Sequence, residues 1–173
     1  TVGEVWKKKL LYKGHKIVPW CTRCGTALSS HEIAQGYEEV TDTSVYVKFK
    51  IKSGQKIGKD FTADDKTYIL SWTTTPWTLP GNVALAVGKD IAYVKADVAG
   101  EGHFFIAQER AESVVKGATI DDREWKGRDL IGLTYEPLFD VPPLKKHGAY
   151  QVYPADFVTT TDGTGVVHTA VMY

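Results

Sequence analysis

Ser71-Trp72-Thr73-Thr74-Thr75-Pro76-Trp77-Thr78-Leu79-Pro80-Gly81-Asn82 is the stretch on which the reading of this chain turns. Its lead-in, Thr67-Tyr68-Ile69-Leu70, has the β-branched and aromatic bias of a strand. Pro76 lacks a backbone donor and pushes Thr75 into extended backbone, so strand pairing is predicted to fail there. Leu79-Pro80-Gly81-Asn82 then reads as a turn, because proline fixes φ while glycine or asparagine tolerates positive φ. Four threonine hydroxyls and two tryptophans within twelve residues exceed the needs of a core strand. The prediction is a strand that frays into a polar, aromatic rim suited to ligand contact. Alternation along a regular strand puts Thr73 and Thr75 on one face and Thr74 on the other.

Outward from that stretch, 173 residues suffice for one domain with a real core and are short for two. A hydrophobic content of 43% with 21 basic and 21 acidic residues fits a soluble globular protein and not a disordered one. Zero net charge gives the molecule no overall pull on nucleic acid, so any grip on a polyanion must come mostly from elsewhere. No apolar run approaches the roughly 20 residues of a membrane helix, and no membrane partner is expected. The start lacks a signal-peptide pattern, and both ends read as cut from a longer chain. Two cysteines three apart fit a reducing, cytoplasmic setting better than a disulfide framework.

Residues 2–12 place Val2, Val5, Trp6 and Leu10 near one helical face, and a helix ending at Gly14 is expected. Lys7, Lys8 and Lys9 read as its solvated face, with an RNA-contact patch as the alternative. Residues 15–20 look like a short strand. Cys21-Thr22-Arg23-Cys24-Gly25 has the form of half a zinc knuckle, with His31 the sole nearby candidate to extend it. A structural turn is the preferred reading, and no metal or cofactor is expected. Ser29 to Glu32 could cap a helix, but the following glycine and β-branched residues favour extended structure.

Residues 43–52 alternate, with Val45, Val47, Phe49 and Ile51 on one side, as in a half-buried strand. Residues 54–65 read as a loop or hairpin end, with Asp64-Asp65 a solvated turn. Short strands are predicted over 83–87, 91–98, 103–107 and 150–158, and a helix over 109–115. The stretch around Trp125, Leu130, Ile131 and Leu133 reads as extended, Glu136 to Pro143 as irregular, and His147-Gly148 as a turn. Short strands punctuated by glycine and proline, with few helices, predict an α+β, mainly β fold. Its expected form is a closed or nearly closed antiparallel β-barrel with peripheral helices. Residues 1–173 are taken as a single domain, of which 1–30 form a connecting arm.

A second unusual stretch is Phe157-Val158-Thr159-Thr160-Thr161-Asp162-Gly163-Thr164-Gly165-Val166-Val167-His168-Thr169-Ala170. Gly163 and Gly165 permit close backbone approach to a ligand, although two glycines alone are a weak phosphate signal. His168 follows an apolar pair and is a candidate rim residue. No Ser-His-Asp or Cys-His order and no His-Glu-x-x-His motif is legible, so water is the expected nucleophile.

Together, Thr73 to Asn82, Gly163 to Ala170 and Trp20 to Glu32 resemble the editing domain of isoleucyl-tRNA synthetase, over nearly the whole chain. The His-x-Gly-His and Lys-Met-Ser-Lys-Ser signatures of aminoacylation are absent, so the ATP-binding parent activity is not expected here. The resemblance implies hydrolysis of valine wrongly joined to tRNA(Ile), and of valyl-adenylate. It implies partners in the tRNA(Ile) 3′ end and the remaining synthetase domains. Isoleucine against valine is itself the established worked case of this problem: one methylene supplies only about 1–3 kcal/mol, so a second site must destroy the smaller product. Carried over, Thr74 and His168 are the catalytic candidates. Thr73, Thr75, Trp77, Asn82 and Gly165 are the substrate-binding ones. Trp77 offers a face for the terminal adenosine or serves as a packed rim anchor. His168 is ranked as a positioning residue, with general base the alternative. The resemblance also places an aspartate that holds the substrate amine just past Tyr173, so weak hydrolysis is expected without it. Alternatives are the related valyl- or leucyl-tRNA synthetase editing domain, or a barrel binding single-stranded nucleic acid without catalysis.

Overall fold

The structure is a computed structural model that describes residues 1–144 and 148–170. His147 of the predicted turn lies outside the described residues. The described chain falls into two compact units, Thr1–Thr41 and Asp42–Tyr173.

In the first unit, α1 (Val2–Lys7) precedes a small hairpin of β1 (Trp20–Cys21) and β2 (Thr26–Ala27), followed by α2 (Ser30–Gln35). Helix α1 stops well before Gly14. Lys9 takes a positive φ of 55°, and the Leu10 N–H donates back to the Val5 carbonyl at 3.1 Å, closing the last turn without a glycine. The strand predicted over 15–20 is confined to its last residue, because only Trp20 finds a partner, in Ala27. Residues 30–35 are helical and not extended. The Ser29 hydroxyl accepts from the Glu32 N–H while the Glu32 carboxylate accepts from the Ser29 N–H, a capping box that outweighs the local extended bias.

The second unit contains β3 (Val45–Lys50), β4 (Lys56–Ile57), β5 (Phe61–Thr62), β6 (Thr67–Thr73), β7 (Asn82–Val87), β8 (Ala92–Val98) and β9 (Gly102–Ala107). These are followed by α3 (Gln108–Val114), β10 (Thr119–Ile120), β11 (Trp125–Lys126), α4 (Gly127–Leu130), β12 (Gln151–Pro154) and β13 (Val166–Ala170). A six-stranded sheet runs β10-β8-β9-β6-β3, with β11 also on β8, and a three-stranded sheet runs β12-β7-β13. Residues 127–130, predicted as extended, are helical.

Strand alternation sorts the core into two layers. Ile69, Tyr93 and Phe105 project to one face, where they meet Leu85, Val87, Val152 and Val166 of the smaller sheet. Their neighbours Leu70, Val94, Phe104 and Ile106 project to the other, where Ala111 and Val114 of α3 cover them. Because the centres of β6, β8 and β9 are covered on both faces, consecutive apolar residues are buried there (Ile69-Leu70, Tyr93-Val94, Phe104-Phe105-Ile106), whereas β3 at the sheet edge keeps the predicted alternation.

The mainly β, α+β class stands, but no closed barrel forms among the described residues. Two pairings are also parallel, β6 with β9 and β12 with β7. The cause lies at the opening stretch. Pairing of β6 with β3 ends at Thr73, and Pro76–Gly81 forms a 3-10 helix that carries the chain out of the large sheet. Strand β7 therefore begins a second sheet, packed over β6, instead of extending the first ladder. Ser71 of β6 donates its hydroxyl to the Val166 carbonyl of β13 at 2.9 Å, tying the layers.

Candidate active site

A cleft of roughly 710 Å³ opens where β6 frays, between residues 72–78 and the segment 157–170 that ends in β13. It brings together Thr73, Thr74, Thr75, Gly165 and His168. Asn82 is buried at the start of β7 and sits behind His168, not on the cleft surface. Trp77 projects from the 3-10 helix, 70% exposed and outside the lining.

The threonines differ in their hydrogen bonding. Thr73 is buried, and its hydroxyl lies 3.2 Å from that of Thr75 and accepts the Thr75 N–H at 3.1 Å. Thr78, one 3-10 turn further on, donates its hydroxyl to the Thr75 carbonyl at 2.8 Å and contacts the Thr75 hydroxyl at 3.4 Å. Thr74 is exposed in the cleft, and its hydroxyl makes no hydrogen bond among the described residues. The three do not divide between opposite strand faces, because β6 ends at Thr73 and all of them line the cleft. They differ in that Thr73 and Thr75 are bonded to each other and Thr74 is not.

His168 on β13 reaches Thr78 Oγ1 through Nε2 at 2.8 Å and Asn82 Nδ2 through Nδ1 at 3.2 Å. Asn82 also donates from Nδ2 to the Ala84 carbonyl at 3.1 Å, and its Oδ1 accepts the Tyr135 hydroxyl at 2.7 Å. Burial lowers the His168 pKa from its ordinary value and raises that of Tyr135. Tyr135 is fully buried, held between the sheets by bridging to Ile51 and by edge contacts with Phe49 and Tyr150.

Gly165 is also required by packing. At φ +70° it lies so close to β9 that an added Cβ would fall 2.5 Å from the Ala107 Cβ. The Ala107 N–H donates to the Thr164 carbonyl at 2.9 Å, and the Tyr93 hydroxyl to the Gly165 carbonyl at 2.6 Å. The glycine turn is thus pinned from below while its other side lines the cleft. Asp162 is the one carboxylate in that lining among the described residues.

Sequence reasoning left Thr78 and Tyr135 out of the site. Thr78 was traceable, since three residues after Thr75 is one 3-10 turn. Tyr135 had no local signal, because its role depends on Asn82, 53 positions away.

In the first unit, Cys21 and Cys24 are free thiols in a knuckle turn, where the Cys24 N–H donates to Cys21 Sγ at 3.3 Å. That backbone hydrogen bond lowers the Cys21 pKa from its ordinary value. No group of three or more His, Cys, Asp or Glu side chains placed to hold a metal occurs among the described residues. Nor is any helix among them long and apolar enough to cross a membrane.

The chain and its fold both have relatives among known proteins. The chain belongs to the class I tRNA synthetases (I, L, M and V), whose family model matches residues 1–170. It is 50% identical over 175 aligned positions to the isoleucine--tRNA ligase of Clostridium novyi (strain NT), covering 100% of this chain and 16% of that protein. With the isoleucine--tRNA ligase of Bacillus thuringiensis (strain Al Hakam) it is 46% identical over 174 positions, covering 99% of this chain and 15% of the relative. The chain thus spans about one sixth of the length of the curated relatives it matches. The fold is similar to that of the GlLeuRS-CP1 crystal structure, with a TM-score of 0.52 and 19% identity over 72% of this chain and 54% of that one. The resemblance to isoleucyl-tRNA synthetase read from the motifs is borne out.

Proposed function

We propose that this chain is the editing site of an isoleucyl-tRNA synthetase and hydrolyses the ester of valine wrongly attached to tRNA(Ile), with valyl-adenylate as a second substrate. The observation that carries the reading is Thr74. Its hydroxyl stands free in the cleft, whereas Thr73, Thr75 and Thr78 are bonded to one another or to backbone. A free hydroxyl can donate to the oxyanion formed as water attacks the ester carbonyl. The bonded threonines make a stiff wall, which suits steric rejection of the larger amino acid. His168 lines the cleft beside Thr78, held from behind by Asn82, and helps place the aminoacyl group. The reaction calls for no cofactor. Trp77, exposed beside the cleft, is available to the terminal adenosine. In the same reading, residues 1–30 are an arm to the remaining synthetase domains, and the protein works in the cytoplasm.

The test is deacylation of valyl- and isoleucyl-tRNA(Ile) by the full-length protein carrying this sequence. Valine is expected to leave at least about 10-fold faster than isoleucine. Thr74→Ala should lower valine release about 100-fold, the effect of removing one oxyanion donor. Release of both amino acids at equal rates, or of neither, would overturn the proposal.

A further inference from the structure

The hydrogen-bond chain behind the cleft has only one consistent direction. Tyr135, with its phenol pKa pushed up by burial, stays protonated and donates to Asn82 Oδ1. The Ala84 and Thr169 carbonyls, 3.1 and 3.4 Å from the other end of the amide, can only accept. Asn82 must therefore turn its NH₂ toward β13. That group carries two protons, shared among these carbonyls and the His168 nitrogen facing it at 3.2 Å, Nδ1, and it has no acceptor, so a proton on Nδ1 would find no partner there. The imidazole proton then sits on Nε2, where the Thr78 oxygen lies 2.8 Å away. Thr78 can receive it, because its own hydroxyl proton goes to the Thr75 carbonyl.

We propose that Asn82, anchored by Tyr135, is a positioning residue that locks His168 in the neutral Nε2–H tautomer. The imidazole then serves as a hydrogen-bond donor to Thr78 and not as a general base. The proposal settles between the two roles open to His168, and its catalytic meaning rests on the editing reading above. A second proton on Nδ1 would point at the Asn82 NH₂, so the imidazolium is disfavoured by geometry as well as by burial. Both ring nitrogens are engaged within the protein, which leaves no free lone pair to take a proton from attacking water. His168 instead stiffens the Thr75–Thr78 wall from behind.

The tautomer can be read directly by long-range proton–nitrogen NMR of the ¹⁵N-histidine-labelled chain, above the ordinary histidine titration range. His168 is expected as one species, with Nε2 protonated and Nδ1 bare. In Asn82→Asp, a carboxylate oxygen replaces the NH₂ and the proton should move to Nδ1. A protonated Nδ1, or an even mixture, in the unaltered chain would overturn the proposal even if the variant failed to fold. So would an unprotonated Nδ1 in folded Asn82→Asp. The measurement does not involve hydrolysis, so failure of the editing reading would leave it standing.

Discussion

Two histidines of the second unit lie in opposite electrical surroundings. His168 sits among neutral partners, Asn82 and Thr78, and its position is set by the direction of donors and acceptors. His103 lies between carboxylates, with Nδ1 2.6 Å from Asp97 and Nε2 3.5 Å from Asp64, and its ring packs edge-on against Phe61. Around it, Lys95 pairs with Asp97 at 2.6 Å and with Asp121 at 3.5 Å, and Arg123 grips Asp121 through two nitrogens. The Arg123 hydrogen bond, against the opposing pull of burial, holds the Asp121 carboxyl well below its usual range. Burial pushes Asp97 up, but hydrogen bonds from Lys95 and His103 leave it lowered. The difference is one of specification. An ion cluster tolerates small shifts of its members, because charge attraction is weakly directional. The neutral chain behind the cleft works only if every donor meets an acceptor, so one altered atom changes its meaning.

The sharpest way to break this comparison is to remove one hydroxyl from the neutral chain. Tyr135→Phe keeps the ring that packs on Phe49 and Tyr150 but leaves buried Asn82 Oδ1 unpaired. A loss of about 1–3 kcal/mol in urea unfolding is expected, nearly independent of salt. In the ion cluster, Lys95→Met removes a buried ammonium whose partners keep water and Arg123. The expected loss is about 1–2 kcal/mol, discounted for their exposure and shrinking further as salt rises. Similar salt dependence for the two variants would erase the distinction.

The smallest effect is on acid stability. His168 has a lowered pKa when folded, so both states are neutral above the ordinary histidine value of about 6.5. As the pH falls below that value the unfolded chain takes up a proton first. The His168 contribution is therefore present above that value and is lost as the pH drops through the folded pKa. Melting temperature should fall more steeply between neutral and mildly acidic pH in the parent than in His168→Gln. Parallel curves would show that burial does not hold the ring neutral.

Much of this was legible in the sequence because it is written in short-range terms. The proline that ends β6 and the β3 pattern each follow from backbone geometry within a few residues. The helix over 30–35 was also local, yet the capping box had to be weighed against the extended bias that follows it. The barrel was misjudged because short strands show how often a chain turns but not which edge each strand meets. The parallel pairing of Thr67 with His103 spans a crossover through β7 and β8.

By itself, the sequence determined the two motif stretches, the hydroxyl-rich rim and the membership in a synthetase family. Those depend on residue identity in local register. Only the tertiary structure decided that the sheets stack without closing and that Gly165 packs against Ala107. It also decided that Tyr135 reaches His168 through Asn82. Each is a contact between residues more than 50 positions apart, selected by packing of whole layers, and no local preference encodes such a choice.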